Sequence, residues 1–175
     1  MKKLFVLTLI AGLFTAGAVS AQEKKEDKSK RPSPPAVATG TIKSGAEITI
    51  DYSQPSVKGR TIGAEIAPYG KVWRTGANEA TTFKVSKDVK VEGKALAAGL
   101  YSLHSVPGEK EWTIIFNKTA NQWGSYEYKE ADDVLRVAVK PAKAAAATEK
   151  MTFSIDKSGK VSLLWGNVIV PFNVK

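Results

Sequence analysis

The amino-acid sequence predicts an all-β fold: a single antiparallel β-sandwich, jelly-roll-like or immunoglobulin-like, with about eight to ten short strands and one long ordered loop. Three observations carry this. From Ala36 onward the dominant hydrophobic period is two, which places successive side chains on opposite faces of a strand. Short turn signals separate the alternating runs, among them Glu92-Gly93, Pro107-Gly108 and Ser158-Gly159. The length fits one ordinary domain, which buries about two-thirds of its unfolded surface.

The elements follow in chain order. Lys2 and Lys3 precede an apolar run from Leu4 to Phe14, and small residues follow as far as Ala21. This is the three-part pattern of a cleavable signal peptide, so residues 1–21 are expected to be removed and the chain to begin at Gln22 in a periplasmic or secreted form. The apolar core is shorter than the ~20 residues a membrane span needs, so no span is expected after cleavage. Residues 22–35 hold almost nothing that can be buried and read as a disordered charged linker. The β-sandwich domain is expected over residues 36–175.

Within it, Ala46, Ile48, Ile50 and Tyr52 alternate with polar residues. Phe83 and Val85, then Val89 and Val91, repeat the pattern, as do Trp112, Ile114 and Phe116. Leu135, Val137 and Val139 follow, then Met151, Phe153 and Ile155, then Val161, Leu163 and Trp165. Val168, Val170, Phe172 and Val174 close the chain. Lys157-Ser158-Gly159 reads as a hairpin turn. Ile62–Tyr69 reads as room for a short helical turn, and the alanine-rich residues 142–150 as a loop or frayed helix, because so short a helix is marginal alone.

Composition narrows the function classes. The chain has no cysteine, so neither a disulfide nor a thiol nucleophile exists and the core must hold by packing. The net charge is +9, but the basic residues are scattered, whereas a nucleic-acid partner calls for a clustered basic face; no nucleic-acid binding is expected. His104 is the single histidine and reads as a packed strand residue at a rim. It leaves no zinc site and no nucleophile-elbow triad. Asp132-Asp133 lacks calcium-loop spacing, and no glycine-rich phosphate loop is present, so no cofactor and no metal are expected.

The densest polar segment is Tyr52–Thr81. It is too long for a hairpin, and Ile62, Ile66, Tyr69 and Trp73 give it something to bury, so it reads as an ordered loop of the kind that carries function. Arg60 and Arg74 offer planar forks for anions, Asn78 a donor and an acceptor, Glu79 an acceptor or a base, and Trp73 a stacking face. Equally, Arg74 and Glu79 can pair and merely hold the loop. A second cluster, Asn117 with Asn121 to Tyr128, contains Trp123 and suits carbohydrate or peptide contacts, or a satellite core.

At these residues the chain resembles the exported bacterial proteins grouped as domain-of-unknown-function family 2911. The resemblance runs from about Ser33 to the C-terminus. It rests on Tyr52-Ser53-Gln54-Pro55-Ser56-Val57-Lys58-Gly59-Arg60 and on Val72-Trp73-Arg74-Thr75-Gly76-Ala77-Asn78-Glu79-Ala80-Thr81. Ala98-Gly99-Leu100-Tyr101-Ser102-Leu103, Trp112-Thr113 and Trp123-Gly124-Ser125-Tyr126 add to it. The resemblance implies export in Gram-negative bacteria and a mostly β domain, and it implies no reaction.

Three functional readings follow. The first is a binding module for a small polar or anionic ligand or a glycan, held by Arg60, Arg74, Asn78 and Glu79 with Trp73 or Trp123 as an apolar wall. The second is a hydrolase with Glu79 as general base and Arg74 stabilising developing negative charge. The third is a structural or envelope-associated protein with an exposed apolar patch.

Overall fold

A computed structural model describes residues 26–175 of the chain, and the segment expected to be a signal peptide lies outside the described residues. Ten strands follow one another: β1 (Pro35–Thr41), β2 (Glu47–Ser53), β3 (Thr82–Val85), β4 (Val89–Val91), β5 (Lys94–Leu96), β6 (Gly99–Val106), β7 (Trp112–Asn117), β8 (Asp133–Val139), β9 (Ala142–Ile155) and β10 (Lys160–Asn173). Single 3-10 turns lie at Lys28–Lys30 and Glu130–Asp132. Among the described residues, no helix is long and apolar enough to cross a membrane.

The period-two pattern does what the sequence predicts. One layer is a six-stranded antiparallel sheet in the order β1-β2-β3-β6-β7-β8. Its inner face presents Ile48, Ile50, Phe83, Leu103, Ile114, Phe116 and Val137, all essentially without solvent contact. The opposing layer is built on the β9–β10 hairpin, which supplies Met151, Phe153, Leu163, Trp165, Val170 and Phe172. Phe83 meets Phe116 edge-on at 5.1 Å, and Phe172 closes on both.

Two short additions widen the second layer. Val91 of β4 bridges Val174, with reciprocal bonds between Lys90 and Lys175 of 2.7 and 2.9 Å. On the other side, Met151 N–H donates to the Pro55 carbonyl and Val57 N–H to that of Glu149. Glu92 and Gly93 join β4 to β5 at φ of 47° and 81°, the left-handed conformation that a two-residue hairpin needs.

The hairpin of β9 and β10 is sharply bent. In a straight strand, residues 159 and 174 would lie roughly 50 Å apart. Instead the Val174 N–H donates to the Gly159 carbonyl at 2.8 Å. Register shifts on either side of Gly166, which has φ 54°, account for the bend. Bent in this way, the hairpin places Trp165 and Phe172 in one core.

Two expectations are corrected. Residues 142–150 are neither loop nor frayed helix. They form the first part of β9, because Gly166, Val168 and Ile169 pair with Thr148, Lys143 and Ala142 and so engage the backbone that an isolated alanine run leaves to water. Ile62–Tyr69 contains no helix. The Thr61 carbonyl accepts from Ala64, Glu65 and Ile66, and Gly63 and Ile66 close a compact turn instead.

Two glycines separate backbone strain from collision. A Cβ at Gly93 meets nothing within 4 Å, whereas one at Gly159 falls 1.8 Å from the Val174 carbonyl oxygen. Gly93→Ala should destabilise by about 1 kcal/mol from positive φ alone. Gly159→Ala should exceed about 3 kcal/mol, because the hairpin end must also move off its strand. Urea unfolding of the two variants measures the difference.

Candidate functional site

The long segment before β3 acquires its shape from one interruption in a ladder. Ser105 of β6 exchanges both backbone bonds with Trp73, at 2.8 and 2.9 Å. The next inward-reading N–H of that edge, Leu103, donates to Thr81 at 2.7 Å. Positions two apart on β6 are thus filled by residues eight apart in the chain, and residues 74–80 are pushed out as a loop. The Thr81 N–H closes its neck on the Arg74 carbonyl. Thr75 Oγ1 donates to Ser105 Oγ at 2.9 Å, and Thr81 Oγ1 to the Thr75 carbonyl at 2.8 Å. Thr75 and Asn78 take positive φ, and Gly76 sits where a Cβ would lie 2.8 Å from Thr81 Oγ1.

The β7–β8 connection pairs with this loop. Ala80 N–H donates to the Gln122 carbonyl and Gly124 N–H to that of Asn78, so Glu79 and Trp123 stand opposite each other. Gln122 is held by the Thr119 carbonyl at 2.6 Å and by Ser102 Oγ at 3.3 Å. The connection forms a wall over the outer face of the six-stranded sheet. Between wall and sheet lies a cleft of about 720 Å³. Thr49 and Asp51 of β2, Thr82 and Lys84 of β3 and Leu100 of β6 form its floor. Asn121, Gln122 and Trp123 form the wall, and Glu79 and Lys28 one end. Trp123 is 55% exposed and Leu100 44%.

The chain before β1 reaches this end of the cleft. Within the segment expected to be a disordered linker, the described residues form the 3-10 turn capped by Asp27 and then bend through residues 31–33 into β1. Asn78 Nδ2 donates to the Ser33 carbonyl at 3.0 Å, and Gln54 N–H to that of Pro34 at 2.9 Å. Lys28 Nζ and Arg31 Nη1 each lie 2.8 Å from one oxygen of Glu79. Arg31 also lies over the Trp123 ring, 5.8 Å from its centre, and pairs with Glu26.

The six residues singled out from sequence fall in different places. Glu79 and Trp123 line the cleft. Asn78 stands behind it and ties the loop to Ser33 and Ser53. Arg74 and Glu79 are not an ion pair; the Glu79 carboxylate takes Lys28 and Arg31 instead. Arg74 lies partly buried under Gly124, its Nε without a partner, and burial lowers its pKa against an opposing effect of Tyr126. Trp73 does not line the cleft; it is partly buried and packs against the core, its ring parallel to Trp165 at 5.3 Å and edge-on to Trp112. Arg60 is remote from the cleft and donates to the Val57 and Ser56 carbonyls of its own turn. Sequence reasoning missed Thr49, Asp51, Thr82, Lys84 and Leu100. Their only signal was outward parity on three strands, which any solvated face shares.

Electrostatics divides the titratable groups. Burial works to raise the Glu79 pKa, but hydrogen bonds from Lys28, its own backbone N–H and Arg31 outweigh it and hold the carboxyl at about 2. His104 lies on the outer face of β6 under the wall, fully buried beside the Tyr128 ring, with neither ring nitrogen in a well-formed hydrogen bond. Burial pushes its pKa down to about 4, against smaller opposing effects of the Gly124 backbone and Asp133. It is therefore packed and neutral rather than placed at an open rim.

The fold and the cleft define a sandwich-like all-β protein with a polar cleft on the outer face of its larger sheet. The family described as "Protein of unknown function (DUF2911)" matches residues 33–174, and the chain belongs to that family. No curated protein and no solved structure gives a significant match.

Two outcomes follow from the charges. His104 binds its proton less readily when folded, so its contribution is complete above pH 6.5 and is lost as pH falls towards 4. The difference between the two pKa values corresponds to about 3 kcal/mol of stability. Denaturant unfolding at pH 7 and pH 4 should show a smaller drop for His104→Phe than for the unmodified chain. Glu79→Gln removes the anchor of Lys28 and Arg31, so tryptic cleavage after Lys28 and Lys30 should accelerate several-fold with little change in thermal midpoint.

Proposed function

We propose that the protein is an exported binding module whose outer-face cleft takes a small neutral polar ligand, a glycan above all. The observation that carries this is Trp123, half-exposed on the wall of the cleft and facing a floor rich in hydrogen-bonding groups. Pyranose rings present apolar C–H faces that lie on indole rings and hydroxyl edges that need amide and hydroxyl partners. Trp123 and Leu100 supply the first, and Thr49, Thr82, Asn121 and Gln122 the second. The charges along the cleft balance, with Asp51 and Glu79 against Lys28 and Lys84, which favours an uncharged ligand over an anion. Arg60 and Arg74, the anion-binding candidates by sequence, are not among the lining residues. The expected signal peptide fits a role outside the cytoplasm, where free polysaccharide fragments occur.

The hydrolase reading draws little support from Glu79. A carboxylate held at about 2 with both oxygens engaged is a weak proton acceptor near neutral pH.

Thermal-shift and calorimetric screening against neutral oligosaccharides, organic acids and phosphates tests the proposal. A neutral glycan should raise the midpoint, since a ligand of the native state stabilises by mass action. Trp123→Ala should weaken it about tenfold or more, a loss of at least ~1.4 kcal/mol, while Arg60→Ala leaves it unchanged. A preference for anions, abolished by Arg74→Ala, overturns the neutral-ligand reading. Binding that Trp123→Ala does not alter removes the cleft as its site.

A further inference from the structure

We infer that Glu79 and Trp123 form a receptor for a guanidinium or ammonium group, and that the chain's own Arg31 and Lys28 occupy it. This goes beyond the neutral ligand of the main cleft, with which it shares the Trp123 ring and the Glu79 end. A carboxylate beside an indole face is a chemically complete site for an organic cation. The carboxylate supplies charge-assisted acceptors, and the ring quadrupole attracts the cation's face. Both parts are engaged here in one place. Arg31 Nη1 lies 2.8 Å from Glu79 Oε2 while its guanidinium carbon lies 5.8 Å from the Trp123 centre, and Lys28 takes Glu79 Oε1 at 2.8 Å. The Arg31 side chain is only 13% exposed, so the guanidinium is seated rather than resting on the surface.

Receptor and occupant belong to different parts of the chain. Glu79 and Trp123 lie within residues 33–174, the portion that matches the family, whereas Lys28 and Arg31 precede it. The receptor is held by the fold: Glu79 and Trp123 are fixed by the backbone bonds between residues 78–80 and 122–124. Of the two occupants Lys28 is held more weakly, and Arg31 is tied by Nε and Nη2 to Glu26 of its own segment as well as to Glu79. Lys28 and Glu79 keep 56% and 39% of their side-chain exposure, and ion pairs this exposed to water contribute little. The segment that carries the occupant is a 3-10 turn with no buried residue. Such an occupant is displaceable, and its hold comes mainly from being tethered nearby.

The test uses the full chain with Lys28→Ser and Arg31→Ser, two changes outside the core, and N-acetyl-arginine amide as the probe. The readout is the indole N–H resonance of Trp123. The double variant should show a saturable shift of that resonance. The unmodified chain should need roughly fivefold more probe, because its own guanidinium competes at an effective concentration on the order of millimolar. Adding Glu79→Gln to the double variant should abolish the response. N-acetyl-glycine amide, which lacks the cation, should produce none. The inference is overturned if the double variant shows no saturable shift, if Glu79→Gln leaves the shift intact, or if the glycine compound reproduces it. A second measurement needs no substitution: in the unmodified chain, saturating probe should move the resonance of the Arg31 Nη1 protons, the group that donates to Glu79, towards its free position. An unmoved Arg31 signal alongside a shifted Trp123 signal overturns the proposed competition. Glycan binding to the main cleft is read separately, so either idea can fail without the other.

Discussion

The arrangement of the site depends on one interruption in the backbone ladder along β6. Trp73 and Thr81 occupy neighbouring positions on that strand, and everything between them has to leave the plane of the sheet. Two hydroxyls make the excursion rigid. Thr75 bonds to Ser105, and Thr81 bonds back to the Thr75 carbonyl, all among fully buried groups. An unpaired buried hydroxyl or carbonyl is expensive, so these bonds specify the loop as well as stabilise it. Trp73 adds an apolar anchor by stacking on Trp165. The loop is thereby fastened to both layers at Trp73, the residue that precedes it.

This constraint turns a strand connection into one end of a cleft. Because the neck is closed, the Asn78 carbonyl and Ala80 N–H face outward, where Gly124 and Gln122 meet them. That second pairing raises the β7–β8 connection over the outer face of the sheet. His104, fully buried, then packs against the half-buried Tyr128 between sheet and wall. A sheet face that would otherwise be flat and wet acquires depth. The same geometry sets Glu79 across from Trp123, which explains why a carboxylate and an indole, both partly open to water, stand together.

The electrostatic outcome depends on what reaches Glu79. Arg74 lies close in sequence, but its side chain reaches Gly124 and is not among the residues that line the cleft. Lys28 and Arg31 reach the carboxylate instead. Glu79 is therefore a firmly ionised anchor, and Arg74 is a partly buried cation next to the loop. Proximity in the chain was a poor guide here, because the loop reverses direction between the two residues.

The sequence by itself determined the strands and their faces. Alternation at Ile48-Ile50-Tyr52, Trp112-Ile114-Phe116 and Leu135-Val137-Val139 is a local property, since each strand exposes its parity without knowing its neighbours. The turn residues at 92–93 and 158–159 were legible for the same reason, as was the family motif around Trp73–Thr81. Tertiary structure decided the rest. It made a strand of residues 142–150, because the pairing partner that satisfies their backbone lies beyond a distant turn. It packed Trp73 against the core and set Arg60 outside the cleft, although both looked like ligand contacts from composition. It gathered Thr49, Asp51, Thr82, Lys84 and Leu100 into one floor, which depends on strand order, a non-local quantity that no single run of residues encodes.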